Sequence, residues 1–499
     1  MAHQIALSNF QDIDGVLWGG WRWDSVNLTY SFPTSINDFS GYSQVNGFTA
    51  FNASQQFAAV RAVAMYGAVC GLNITKTTVP GAGNLRFAEA DSIDVGNGLV
   101  KTGGSAFAQI PDDSDPSTPA FSQGDTWYNH TGYRSAPIGS FAATAGVLHE
   151  LGHALGLKHG HQASGGNNTL LSDNHNSQEY SIMTYKAFPG QQPVPGSSPP
   201  QFALPKHYPT SPMMDDIFAL QWLYGADYNY NKTNTVYTWN AVNGEMLVNG
   251  HHFNGVDNVF GGVPSHHKIF MTVWDGGGVD TYNFANFTTK AVINLAPGSW
   301  STPHNGLRAD LGSGHFARGS IANAWSFAND FRAYIENANG GSNHDSITGN
   351  IVNNVLHGNG GNDVIRSGAG NDQLFGDAGN DILSGGRGRD YLVGGTGLDQ
   401  FIYTALNETT VAAPGRDLIG GFAHGEKIDL HIWDANSLVG ANQAFVFRVN
   451  FTGHAGEVQY DRLAINNLMV SVDVNGDSVA DAAFQMTGVN TLTAIDFIL

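Results

Sequence analysis

The hydrophobic and polar positions of this chain change their period along its length. Over residues 1–225 strand and helix patterns are mixed. Residues 26–32 alternate apolar and polar side chains like a strand and stop at Pro33. Residues 51–70 carry an apolar stripe at helical spacing, and 106–110 and 125–129 read as strands. A helix is predicted over 141–155, with Ala142, Ala145, Leu148, Leu151 and Leu155 on its apolar side. Another is predicted over 213–224, with Gly225 as its C-terminal cap. After residue 226 the helical period disappears, and short β-rich runs alternate with Gly and Asn.

From Gly340 a nine-residue period sets in: GGSNHDSIT, GNIVNNVLH, GNGGNDVIR, SGAGNDQLF, GDAGNDILS, GGRGRDYLV, GGTGLDQFI, ending at Ile402. Position six is Asp345, Asn354, Asp363, Asp372, Asp381, Asp390 and Asp399. Position eight is apolar in every unit: Ile347, Leu356, Ile365, Leu374, Leu383, Leu392 and Phe401. A flexible Gly-rich linker would not hold one apolar phase through seven units. The pattern fits G-G-x-G-x-D-x-U-x, which forms a parallel β-roll with calcium in its turns. Glycines make the tight turns and expose carbonyls, while aspartate adds the hard oxygen that Ca²⁺ takes. The expected calcium ligands are Gly361, Asp363, Gly370, Asp372, Gly379, Asp381, Gly388, Asp390, Gly397 and Asp399. The first two units are degenerate, with Asn343 and Val352 replacing a glycine and Asn354 the aspartate. One apolar position per nine residues cannot offset ordering the backbone at about 1–2 kcal/mol per residue, so ion binding must help fold the roll. Four segments are expected: 1–225, 226–339, 340–402 and 403–499.

Composition sharpens this picture. Glycine reaches 63 of 499 residues, which suits a Gly-periodic repeat. Against 42 acidic residues stand 22 basic ones, a net charge of −20, which disfavours nucleic acid and anionic membranes as partners. The single cysteine, Cys70, allows no disulfide framework and reads as a core residue. No segment reads as a membrane-spanning helix, and residues 1–14 lack the basic-then-apolar pattern of a signal peptide.

The chemistry is concentrated in residues 149–159, HELGHALGLKH, which satisfy H-E-x-x-H-x-x-G-x-x-H. Residues four apart share a helix face, so His149 and His153 can hold one ion. Gly156 can take a positive φ and turn the chain back, so that His159 supplies the third ligand. Three protein ligands leave one position open, as a catalytic zinc site requires. Glu150 lies beside the first ligand, placed to act as general base towards a zinc-activated water. His161, His175, His251, His252, His266 and His267 fall outside the pattern and read as loop or surface residues.

Residues 181–185, SIMTY, resemble the Met-turn of metzincins, which implies that Met183 is an apolar floor and not a ligand. Tyr185 matches the tyrosine that in serralysins and astacins reaches the metal as an extra zinc ligand and then stabilises the transition state. Zinc motif, Met-turn and nonapeptide repeats together resemble the serralysins, bacterial extracellular proteases. The openings IDGVLW (13–18) and TYSF (29–32), the strand DTWYN (125–129) and the helix from Asp215-Asp216-Ile217 to Gly225 are similar to that family too. The resemblance implies an α+β metzincin catalytic domain followed by an all-β domain containing a parallel β-roll and a β-sandwich-like C-terminal part.

It also implies that Asp275, Gly277, Gly278 and Asp280, with Glu336 nearby, contact calcium. The implied activity is hydrolysis of internal peptide bonds by one catalytic Zn²⁺, with several structural Ca²⁺. Implied partners are protein substrates, an ATP-binding-cassette (type I) exporter that reads the C-terminal signal ending in Asp496 and three apolar residues, and a proteinaceous inhibitor. A secreted, extracellular monomer without membrane insertion is expected. The family's N-terminal prosegment is matched by only a short stretch, shortened or trimmed. Residues 473–481 resemble part of an EF-hand loop but lack its later glutamate, and a turn between strands explains them equally well. A non-catalytic secreted calcium-binding protein would share the repeats, but would not need a general base beside three correctly spaced ligands.

Overall fold

The computed structural model describes residues 2–39, 42, 44–94, 100–102, 106–111, 123–133, 145–164, 166–197, 201–255, 258–436 and 443–499. Strands dominate and helices are few. The chain divides into two compact units. The first comprises Met1–Lys232, Val242–Gly278 and Gly306–Ala333; the second comprises Thr233–Ala241, Val279–Asn305 and Tyr334–Leu499.

Three longer helices lie in the first unit: α1 (Ala53–Val69), α2 (Gly146–Ala154) and α3 (Met214–Tyr224). Asn52 starts α1 with a reciprocal cap, its side chain accepting from the Gln55 N–H at 3.0 Å while Gln55 Oε1 accepts from the Asn52 N–H at 2.9 Å. Gly225, at φ +81°, ends α3. The helix predicted over 141–155 is seen from Gly146 onward; residues 141–144 lie outside the described residues.

A sheet runs in the order Ala106–Ala108, Asp125–Tyr128, Leu85–Glu89, Asn27–Ser31, Asn73–Lys76. Along this order the pairs are parallel except the first, where Ala106–Ala108 runs antiparallel to Asp125–Tyr128 at the edge, and Thr49–Ala50 adds a short antiparallel pair to Leu85–Glu89. Every residue of α2 is buried. Tyr66 of α1 donates its hydroxyl to Leu148 O at 2.8 Å. Trp23 Nε1 and the Tyr224 hydroxyl donate to Ala154 O (2.9 Å) and Leu155 O (2.8 Å), serving carbonyls that the helix end leaves without partners. Cys70 is fully buried, its thiol pushed up to about 12 by burial, as suits a core residue.

The second unit follows from the nine-residue period. Strands of alternate repeats pair in parallel at a register of 18 residues, Ile365 beside Leu383 in one sheet and Leu374 beside Leu392 in the other. Two nonapeptides therefore make one turn of the coil. The seven position-eight side chains are all buried to within 1%. At about 25 cal/mol per Å² they form a thin apolar seam. The stacking outlasts the repeats: Leu418–Gly420 pairs with Tyr391–Thr396, Lys427–Asp429 with Gln400–Ile402, and Phe497–Ile498 with Lys427–Asp429. Ala482–Thr487, Asn467–Asp473 and Glu457–Ala464 then extend the sheet that holds Leu374, Leu392 and Leu418–Gly420. The C-terminal strands thus cover parallel edges that the roll would otherwise leave open.

Candidate active site and ion-binding turns

Helix α2 presents His149 and His153 on one face. Gly156, at φ +107°, reverses the chain after it, and a Cβ there would lie 2.4 Å from Trp21 O. Both facts demand glycine. The reversal brings His159 back, so that its Nε2 lies 3.1 Å from the Nε2 of His149 and 3.1 Å from that of His153. Each Nδ1 faces an oxygen that can only accept: Ile182 O, Leu157 O and Gln162 Oε1, each at 2.8 Å. The Nδ1 atoms therefore carry the protons and the Nε2 atoms present lone pairs to one another.

Three converging lone pairs repel unless a cation sits among them. Nitrogens about 2.0–2.1 Å from a tetrahedral ion stand about 3.3 Å apart, close to the spacing seen. Burial, with the neighbouring His159, holds His149 down at about 3, so its ring is neutral as a ligand must be. The donor set fits a metal, and it is the one His/Cys/Asp/Glu group of this kind among the described residues.

Glu150 is buried at 6% exposure, between the first two ligands in sequence. The Tyr185 hydroxyl lies 2.9 Å from His159 Nε2. Burial and the charge of Glu150 push its phenol up to about 12, so it stays protonated. Met183 is fully buried, and a Cβ on Gly152 would lie 2.8 Å from its Sδ. The methionine thus packs under the helix between the two ligands.

Some neighbours were not singled out as site residues from the sequence. His161, read as a loop residue, has its ring 4.6 Å from that of Tyr185. Buried Asp216 accepts from Ser181 Oγ (2.6 Å), Ile182 N–H (2.9 Å) and Met213 N–H (2.9 Å), which fixes the turn whose carbonyl orients His149. The Asp215-Asp216 pair opening α3 was the available signal, but its target lies more than 30 residues away in sequence.

In the roll, Oδ1 of five of the six position-six aspartates accepts the backbone N–H of the residue 18 earlier: Asp363 from Asp345, Asp372 from Asn354, Asp381 from Asp363, Asp390 from Asp372 and Asp399 from Asp381, at 2.7–2.9 Å. Oδ2 of all five is buried without a hydrogen-bond partner. Burial, together with neighbouring carboxylates, pushes Asp363 up to about 8 and Asp381 and Asp390 to about 7; burial pushes Asp372 up to about 6 and raises Asp399. Buried carboxylate oxygens without a partner are what a hard divalent cation would satisfy.

The position-four glycines Gly361, Gly370, Gly379, Gly388 and Gly397 all have φ between +111° and +143°. A Cβ on Gly379, Gly388 or Gly397 would fall 1.6–1.8 Å from the carbonyl oxygen of the glycine 18 residues before it. The turns thus draw carbonyls and carboxylates together.

The ladder continues where the repeat does not. Asp417 Oδ1 accepts from the Asp390 N–H at 2.9 Å across 27 residues, and its Oδ2 is likewise buried without a partner. The degenerate second unit differs. Asn354 Nδ2 donates to Glu336 O (2.7 Å) and Asn350 Oδ1 (3.1 Å), so an amide fills the turn. Asp345 has both oxygens occupied, by the N–H groups of Ala291 and Gly341.

Among the remaining expected calcium residues, Asp275 is buried and accepts from the Gly277 N–H at 2.8 Å, with Gly277 and Gly278 at φ +142° and +144°; these lie in the first unit. In the second unit, Asp280 accepts from the Thr235 N–H (2.7 Å) and donates its own N–H to Glu336 Oε2 (2.7 Å). Residues 473–481 form a turn between strands, with Asp473 and Asp481 accepting backbone N–H groups within it.

Residues 227–499 match the family model described as Peptidase M10 serralysin C terminal. Over 99% of this chain and 89% of the relative, the sequence is 35% identical to Metalloprotease AprA of Pseudomonas entomophila. It is 33% identical to Metallopeptidase AprA of Pseudomonas marginalis, over 95% and 86%, and 34% identical to Serralysin A of Dickeya chrysanthemi, over 93% and 84%. With a metal-ready histidine triad beside a buried glutamate and this likeness along nearly its whole length, the chain belongs to the serralysin family and is a metalloprotease.

Proposed function

We propose that this chain is a secreted zinc endopeptidase that cleaves internal peptide bonds of proteins, built as a metzincin catalytic domain followed by a β-domain folded around several calcium ions. The observation that carries the reading is the set of three Nε2 atoms converging with their Nδ1 protons turned outward. His149, His153 and His159 would hold the zinc. When bound, the ion supplies Lewis-acid polarisation of the scissile carbonyl and makes water more acidic. Glu150 takes a proton from the attacking water and passes it to the leaving amine. Tyr185, protonated over the working pH range, donates its hydroxyl to the oxygen on which negative charge develops. Met183 and Gly152 keep the floor of the site apolar and closely packed.

Substrate adds as an extended strand near Ala106 to Ile110, beside the outermost described strand of that sheet, recognised through its backbone and therefore across many sequences. The calcium ligands are the carboxylates and carbonyls of Gly361 to Asp399, joined by Asp417, and the carboxylates Asp275, Asp280 and Glu336 with Gly277 and Gly278. Calcium outside the cell folds a roll that stays loose inside it, which suits export by a type I machinery reading the C-terminal signal. Among the described residues no helix is long and apolar enough to cross a membrane.

Casein hydrolysis by the calcium-loaded protein, beside Glu150→Ala with zinc content verified in both, tests the reading. We expect wild-type cleavage and a loss of about 10²–10⁴ in the zinc-replete variant. Equal activity in the two would remove Glu150 from the mechanism.

A further inference from the structure

The three candidate ligands are not held alike. His149 and His153 turn their Nδ1 protons to backbone carbonyls of buried residues, Ile182 and Leu157. His159 turns its own to Gln162 Oε1, on an exposed side chain. A side-chain amide can rotate away, whereas a packed carbonyl cannot, so something must fix Gln162.

Lys158 lies directly before the third ligand and is fully buried. Its ammonium donates to Gly15 O (2.6 Å), Thr169 O (2.8 Å) and Gln162 O (3.1 Å), which matches its three protons to three carbonyls. No carboxylate pairs with it among the described residues. The backbone amide of Gln162 in turn donates to His159 O at 3.2 Å. One buried cation thus ties the segment near the N-terminus, the loop through Thr169 and the backbone of Gln162 to the root of the third ligand. Remove it, and three carbonyls lose a charged donor at the place from which the Gln162 side chain must reach His159.

We propose that Lys158 is a positioning residue for the third zinc ligand and acts through Gln162. This rests on the zinc reading of the triad. The three hydrogen bonds of the Lys158 side chain set the return loop, so that the amide oxygen of Gln162 keeps the His159 proton on Nδ1 and its Nε2 lone pair on the metal. Partners that orient a ligand in this way are worth about 10- to 100-fold in metal affinity.

The test is a double-mutant cycle on zinc affinity, by chelator competition with the calcium-loaded full chain, with thermal melting run on each variant. Gln162→Ala is at an exposed position, and Lys158→Met removes the ammonium. Each is expected to weaken zinc binding about 10- to 100-fold, and the double variant to bind no more weakly than Lys158→Met alone. If Lys158→Met does not fold, Lys158→Gln, whose amide keeps two donors for the three carbonyls, takes its place in the cycle. Wild-type affinity in Gln162→Ala, or losses that multiply in the double variant, would overturn the proposal, because Lys158 would then act on stability alone. A wild type that takes up no zinc would instead sink the zinc reading itself.

Discussion

Asp381→Asn should change stability in opposite directions with and without calcium. Asp381 Oδ1 accepts the Asp363 N–H at 2.7 Å, and an asparagine keeps that bond through its own Oδ1. What it removes is the charge on the buried, partnerless Oδ2. In the calcium-free roll, burial and nearby carboxylates push this group from 3.8 up to about 7. Folded, the carboxyl keeps its proton to about pH 7, whereas unfolded it loses it near 3.8. The stability tied to this proton is full at pH values below the unfolded value and is lost as pH rises through about 7. A three-unit shift at about 1.4 kcal/mol per unit has a ceiling of about 4 kcal/mol, which solvent screening at this turn reduces to about 1–2 kcal/mol.

The calcium-free variant should therefore be more stable than wild type by about 1–2 kcal/mol at pH 8 and equal to it near pH 4. In saturating calcium the order inverts, because the variant lacks a charged oxygen, and its calcium midpoint should rise about tenfold or more. Circular dichroism of the full chain with chelator, from pH 4 to 9, and then calcium titration at pH 8 would read both effects. A destabilisation of the same sign in both states would mean that the charge on Oδ2 costs nothing in the calcium-free roll, and the cation-site reading of Asp381 would fail.

Asn354→Asp should do the reverse without calcium. It replaces the amide donor on Glu336 O with a carboxylate and should cost about 1–3 kcal/mol in a chelator melt; an unchanged melt would mean that the amide does not hold the second repeat. Tyr185→Phe should lower kcat about a hundredfold with zinc content unchanged, since the hydroxyl meets developing charge rather than holding the ion. Loss of zinc in step with activity would make it a ligand first.

The legible part of this protein was local in origin. HELGHALGLKH shows its geometry because residues four apart share a helix face, and the turn at Gly156 follows from a backbone that only glycine tolerates there. The roll was legible because a coil of 18 residues per turn repeats the same environment, so one glycine, one aspartate and one apolar position recur in phase. Helices α1 and α3 were readable from stripe and cap within two residues of their ends.

What the sequence concealed depends on segments that meet only after folding. The ladder from Asp390 to Asp417 skips 27 residues, so no period points to it. Asp216 reaches the Met183 turn, and Lys158 gathers carbonyls from Gly15 and Thr169, through contacts between distant stretches of chain. The division into two compact units, with 242–278 and 306–333 counted in the first, is equally non-local. The sequence by itself determined which three histidines converge and the period on which the roll is built, because both are set by the dihedral geometry of a few consecutive residues. Only the tertiary structure decided that the Ile182 carbonyl orients His149 and which buried carboxylate oxygens lack a partner, because hydrogen-bond partners and burial exist only once the chain has packed.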